Sequence, residues 1–165
     1  MSTTKHLLDP ELQVMADAPF IPELTDDNIS KARDNMAAKA VGLADPASQN
    51  VHRTEIFAAQ PDGPNVRCLL YQPKADEDKT GAGYLHIHGG GYLFGSPDGS
   101  DLSNLLIASK LGVTVLSVDY RLAPEHPIPA PLDDCYAGLA YLHEHADCLL
   151  YTSDAADEGL GVDLG

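Results

Sequence analysis

The feature that most narrows the fold of this chain is residues 113–120, VTVLSVDY. The run is nearly continuously apolar, rich in β-branched residues and too short for a typical helix. A strand with one wet face alternates apolar and polar positions. A strand that is apolar almost throughout is covered on both faces, as in a parallel sheet flanked by helices. Together with the order of the neighbouring segments, it reads as an α/β architecture.

The neighbouring segments agree with it. Residues 101–111, DLSNLLIASKL, read as a helix that stops at Gly112. Residues 84–88, YLHIH, read as a short strand that runs into three glycines. A Pro-rich stretch, RLAPEHPIPAP, leads to a helix over 132–146, where Leu132, Tyr136, Leu139, Ala140 and His143 share a face. Upstream, 51–59 and 66–72 read as two strands separated by the turn cluster PDGPN, a hairpin pattern. The order is a hairpin followed by strand–helix–strand–helix, a growing parallel sheet. Before the sheet, Leu7, Leu8, Leu12, Val14 and Met15 suggest a helix over 7–18. Thr25, Asp26 and Asp27 offer a cap and an acidic first turn for a second helix reaching about Val41.

Composition sets outer limits. The 165 residues suffice for one domain, with 44% hydrophobic and 21% charged residues. No apolar run reaches the roughly 18 residues that span a bilayer, so no membrane span is expected. The N-terminus lacks a basic region followed by an apolar stretch, so a cytoplasmic location is expected. A net charge of −15 argues against nucleic acid as a partner. Cys68, Cys135 and Cys148 have no metal-ligand spacing and read as reduced thiols.

The segment that carries chemistry is His88-Gly89-Gly90-Gly91-Tyr92. Consecutive glycines fold tightly and leave N–H groups uncovered. Such groups can donate to an oxygen that gains negative charge in acyl transfer, often worth about 10²–10³ in rate each. The run matches neither G-x-G-x-x-G nor a P-loop, so no nucleotide cofactor is expected. His86 and His88 lie two apart on a strand, but no Cys or carboxylate has a matching spacing, so no metal is expected. Asp133 and Asp134 open a helix, where acids complement the dipole.

Two blocks carry a family resemblance: the HGGGY loop, continuing into FGSPDGSD, and DYRLAPEHPIPAPLDD from Asp119 to Asp134. Together they resemble the hormone-sensitive-lipase-like esterases of the α/β-hydrolase fold. The resemblance covers roughly 65–147 and, loosely, the N-terminal helices. It implies the N-terminal half of an α/β-hydrolase sheet, about four strands, preceded by helices over 1–45 that form part of a cap. It also implies that Gly89 and Gly90 are oxyanion-hole donors, with Gly91 in the same loop. His88 corresponds to a loop-bracing histidine, not the triad histidine. Asp119, Tyr120, Arg121 and Glu125 correspond to a polar cluster that braces the loop. In place of the family's common Thr-His after GS-x-D, this chain has Gly99-Ser100.

Acyl transfer in this fold needs a nucleophile on a G-x-S-x-G elbow, then an acid and a histidine in chain order. No serine in the chain is flanked by glycines at both positions two away. No triad residue is therefore expected within the partial core, 46–147. Residues 148–158, CLLYTSDAADE, resemble a translated sequencing-library adapter, and 161–165 match its continuation. The expectation is that 148–165 is a non-native tail and that the biological sequence before it breaks off near Asp147. The expected function is carboxylester hydrolysis of a small acyl ester by the parent protein, with this chain inactive. The alternatives are a non-catalytic binding module, or an amidase or lactonase on the same fold.

Overall fold

The computed structural model describes residues 5–7, 9–11, 25, 28–40, 50–74, 80–147 and 149. Helix α1 spans Ile29–Ala40. Four strands follow: β1 Val51–Ala58, β2 Val66–Pro73, β3 Gly83–Ile87 and β4 Thr114–Val118. Helix α2, Asp101–Leu111, joins β3 to β4, and α3, Ala130–Glu144, follows β4. The strands form one mixed sheet in the order β1-β2-β4-β3. The β1–β2 and β2–β4 pairs are antiparallel, and β3–β4 is parallel. The chain therefore skips a place after β2, and β4 returns to fill it.

That return puts the most apolar strand inside the sheet. All five residues of β4 are buried. Its alternate side chains serve two cores. Leu116 and Val118 join Cys68, Leu70 and Ala137 on the α3 side, whereas Val115 joins Leu69, Tyr71, Leu105 and Ala108 on the α2 side. Each fully buried Val or Leu contributes roughly 1.5–3 kcal/mol relative to exposure. Burial on both faces is the physical reason for the unbroken apolar run.

The elements sit close to their sequence-read positions, with small shifts. Helix α2 ends as expected at Gly112, which is left-handed with φ 66°. Strand β3 ends at Ile87, so His88 already belongs to the loop. Helix α3 starts two residues before Leu132, with Pro131 in its first turn, where the missing N–H costs nothing. Ahead of α1, the Thr25 carbonyl accepts from the N–H groups of Asn28 and Ile29. The first expected helix meets only a short 3-10 turn, Lys5–Leu7, and residues 12–20 lie outside the described residues. Among the described residues, no helix is long and apolar enough to cross a membrane.

Candidate active site

The parallel strands β3 and β4 end side by side, and the loop leaving each one holds part of the site. The loop after β3 carries His88, Gly89, Gly90 and Gly91, all three glycines exposed. Gly90 adopts φ 132°, and a Cβ there would run into the carbonyl of Phe94. Its own carbonyl accepts from Leu93 N–H at 3.1 Å and Phe94 N–H at 3.0 Å, closing the turn. Among the described residues, no group accepts from the N–H of Gly89, Gly90 or Gly91. Three solvent-facing donors with no internal acceptor thus lie in a row.

The loop is fixed from below by His88, which is 4% exposed. Its Nδ1–H donates to the Gly89 carbonyl at 3.0 Å, and its ring stacks on Tyr120 at 4.0 Å between centroids. Tyr120 Oη–H donates to the His88 carbonyl at 2.7 Å. Burial lowers the His88 pKa, against the opposing hydrogen bond to Gly89. His88 is thereby held neutral at pH 7 with its proton on Nδ1. Gly95, at φ 98°, packs its backbone so closely on the His88 ring that a Cβ would collide with it.

The four residues of the second motif do not gather into one cluster. Each ties down something different. Asp119 takes Arg67 of β2 at 3.0 Å. Tyr120 holds His88. Arg121 reaches Asp134 on α3, with Nη2 donating at 2.7 Å and Nε at 2.9 Å, while its backbone N–H donates at 2.8 Å. Glu125 pairs with Arg33 of α1 at 2.8 Å. Asp134 is 1% exposed and also accepts from Gln60 Nε2 at 2.6 Å. Burial alone would raise its pKa, but the bonds from Arg121 and Gln60 outweigh that and hold the carboxyl low. Asp134 therefore works as a buried anchor. Asp133 remains exposed in the first turn of α3.

Sequence reasoning passed over several residues that shape the site. Arg53 and Arg67 reach across from the hairpin to the end of the loop after β3. Arg67 Nη1 donates to Asp98 at 2.8 Å, and Arg53 Nε donates to Asp101 at 2.6 Å. Tyr71 Oη–H also donates to Asp101, at 2.8 Å. The bond from Arg67 holds the Asp98 carboxyl below its usual range. Gly99, one of the two residues that replace Thr-His, lies in the 3-10 turn Asp98–Ser100, and its N–H bonds the Ser96 carbonyl at 3.2 Å. Tyr92 has φ 63°, uncommon for a bulky residue and a place where strain is stored. Its carbonyl accepts from Ala123 N–H at 2.9 Å, stitching the two loops together. His86 Nδ1 lies 2.8 Å from Ser117 Oγ of β4.

A family model described as an α/β-hydrolase fold matches residues 84–162, a span that runs past Asp147. A carboxylic ester hydrolase of Mycobacterium tuberculosis is 36% identical over 147 residues, covering 86% of this chain and 38% of the relative. An ethyl acetate hydrolase of Pseudomonas putida is 32% identical over 120 residues, covering 72% of this chain and 38% of the relative. A solved structure described as a bacterial heroin esterase superposes with a TM-score of 0.70 at 34% identity, covering 91% of this chain and 47% of that one. The chain thus spans less than half the length of each of these proteins.

Proposed function

The chain belongs to the α/β-hydrolase fold family, among its hormone-sensitive-lipase-like esterases, and supplies the N-terminal half of the sheet; on that premise we propose how it acts. The complete protein is a serine carboxylester hydrolase for short to medium acyl esters. Gly89 and Gly90 donate their N–H groups to the oxyanion, and Gly91 completes the loop. The observation that carries this reading is the row of exposed glycines whose N–H groups have no acceptor among the described residues, on a turn fixed by His88 and Tyr120. Donors that are already in place when charge develops need no reorganisation in the transition state. Residues 1–45, to which helix α1 belongs, contribute to a cap over the acyl site, and the protein works in the cytoplasm.

The nucleophile, the acid and the base come from sequence beyond the partial core, and residues 148–165 are foreign to the gene. This chain by itself then has no covalent route to an acyl-enzyme and does not turn over esters. The test starts with the genomic DNA downstream of codon 147. The expected result is an open frame encoding G-x-S-x-G, then an acid and a histidine. Its complete product should hydrolyse p-nitrophenyl acetate, and the 165-residue chain should not. Genomic DNA that encodes LLYTSDAADE and then stops would overturn the proposal.

A further inference from the structure

Helix α1 is remote in sequence from both active-site loops, yet one of its side chains touches both. Arg33 Nε donates to the Leu93 carbonyl at 2.8 Å. Its Nη2 donates to the Ala123 carbonyl and to Glu125 Oε2, and its Nη1 donates to Glu125 Oε1 at 2.8 Å. We infer that Arg33 is a positioning residue for the oxyanion loop: its guanidinium clamps the end of the glycine turn to the loop after β4. The consequence for catalysis rests on the esterase reading above, whereas the clamp itself rests on geometry alone.

The two carbonyls it grips are not arbitrary. Leu93 is the residue whose N–H closes the turn onto the Gly90 carbonyl. Ala123 is the residue whose N–H holds the Tyr92 carbonyl. The clamp thus holds, by their carbonyls, the same two residues whose N–H groups hold the turn. The glycines have no side chains with which to hold themselves, so their order must be imposed by neighbours. His88 and Tyr120 do this from below, and Arg33 does it from the N-terminal side.

The chemistry requires arginine. A planar guanidinium presents five N–H donors in a fixed fork, so it can serve a carboxylate and two carbonyls at once. A lysine ammonium is a point charge and cannot span that set. The ion pair alone would count for little, because Arg33 and Glu125 keep 21% and 49% of their side-chain exposure. The carbonyl bonds give the contact its specificity. Because α1 carries the clamp, seating α1 and ordering the turn are linked, and each favours the other.

The test is amide hydrogen exchange on the 165-residue chain, read at Leu93, Phe94 and Ala123, with the β2–β4 ladder as internal reference. Arg33→Ala should speed exchange at the three loop amides about tenfold and leave the ladder unchanged. Arg33→Lys should fail to restore protection, because charge alone does not make the clamp. Glu125→Gln removes the charge and one of the two accepting oxygens but leaves both carbonyl bonds, and should give a smaller acceleration at the same amides. Unchanged loop amides in Arg33→Ala, equal acceleration in loop and ladder, or full protection in Arg33→Lys would each overturn the inference. The readout needs no turnover, so its failure and the failure of the esterase reading are separate outcomes.

Discussion

The two loops that leave β3 and β4 start from neighbouring strand ends and treat their polar groups in opposite ways. The first, from His88 to Gly95, carries three exposed glycines whose N–H groups have no acceptor among the described residues. The second, from Asp119 to Glu125, commits each of its four motif side chains to a partner elsewhere: Arg67, His88, Asp134 and Arg33. The difference teaches how a donor site is built. A loop that must present bare N–H groups cannot satisfy itself, so its rigidity comes from a neighbour that is fully satisfied.

The largest break in this comparison should come from the anchor of the second loop. Asp134→Ala would strand Arg121 and Gln60 beside a vacated buried site. Removing one partner of a buried pair costs about 3–5 kcal/mol, and partial solvation of Arg121 places this case at about 3 kcal/mol. The shift of the urea midpoint measures it, and a loss below about 1 kcal/mol would remove Asp134 from the account.

Next come the glycines themselves. Gly90→Ala forces an L-residue into φ 132° and against the Phe94 carbonyl, at a cost of about 2 kcal/mol. Gly89→Ala meets nothing within 4 Å and should cost less than about 0.5 kcal/mol. Equal effects at the two positions would contradict the turn geometry. Smaller again, Tyr120→Phe keeps the ring stack and loses one buried hydrogen bond to the His88 carbonyl, about 1 kcal/mol by the same measurement.

The pH dependence is the mildest effect and has a definite sign. His86 and His88 both have pKa values lowered by burial. The unfolded chain therefore binds more protons than the folded one just below the ordinary histidine value of about 6.5. Stability should fall as pH drops through that region, where ordinary carboxylates remain ionised. Urea midpoints at pH 7.5 and pH 5.5 check it, and a midpoint that rises on acidification would contradict it. The Glu125 carboxyl, held low by Arg33, behaves in the same sense at more acid pH. Its contribution is present above the ordinary glutamate value and lost as pH falls through the depressed one.

Much of the first loop was legible in the sequence because its signal is local. Three glycines after a strand state their own conformational purpose, and the apolar run of β4 announces burial on both faces. The place of β4 between β2 and β3 was not legible, because strand order depends on contacts that no periodicity records. The second loop was half legible. Its motif marked Asp119, Tyr120, Arg121 and Glu125, but their partners lie on β2, α3 and α1 or in the glycine loop. Arg33 left no trace, since its partners stand 60 to 92 positions away and an arginine on a helix surface usually means a solvated charge. Gly95 was missed for a related reason: what excludes a side chain there is the ring of His88, brought near only by the fold.

The most direct test of the account is residue-resolved amide exchange across 88–95 in the unmodified chain. Exchange near the intrinsic rate is expected at Gly89, Gly90 and Gly91, with clear protection at Leu93 and Phe94, so that free donors sit on an ordered turn. Protection of the glycine amides to the level of Leu93 would mean that their N–H groups are already spent, and the oxyanion-hole reading would be wrong.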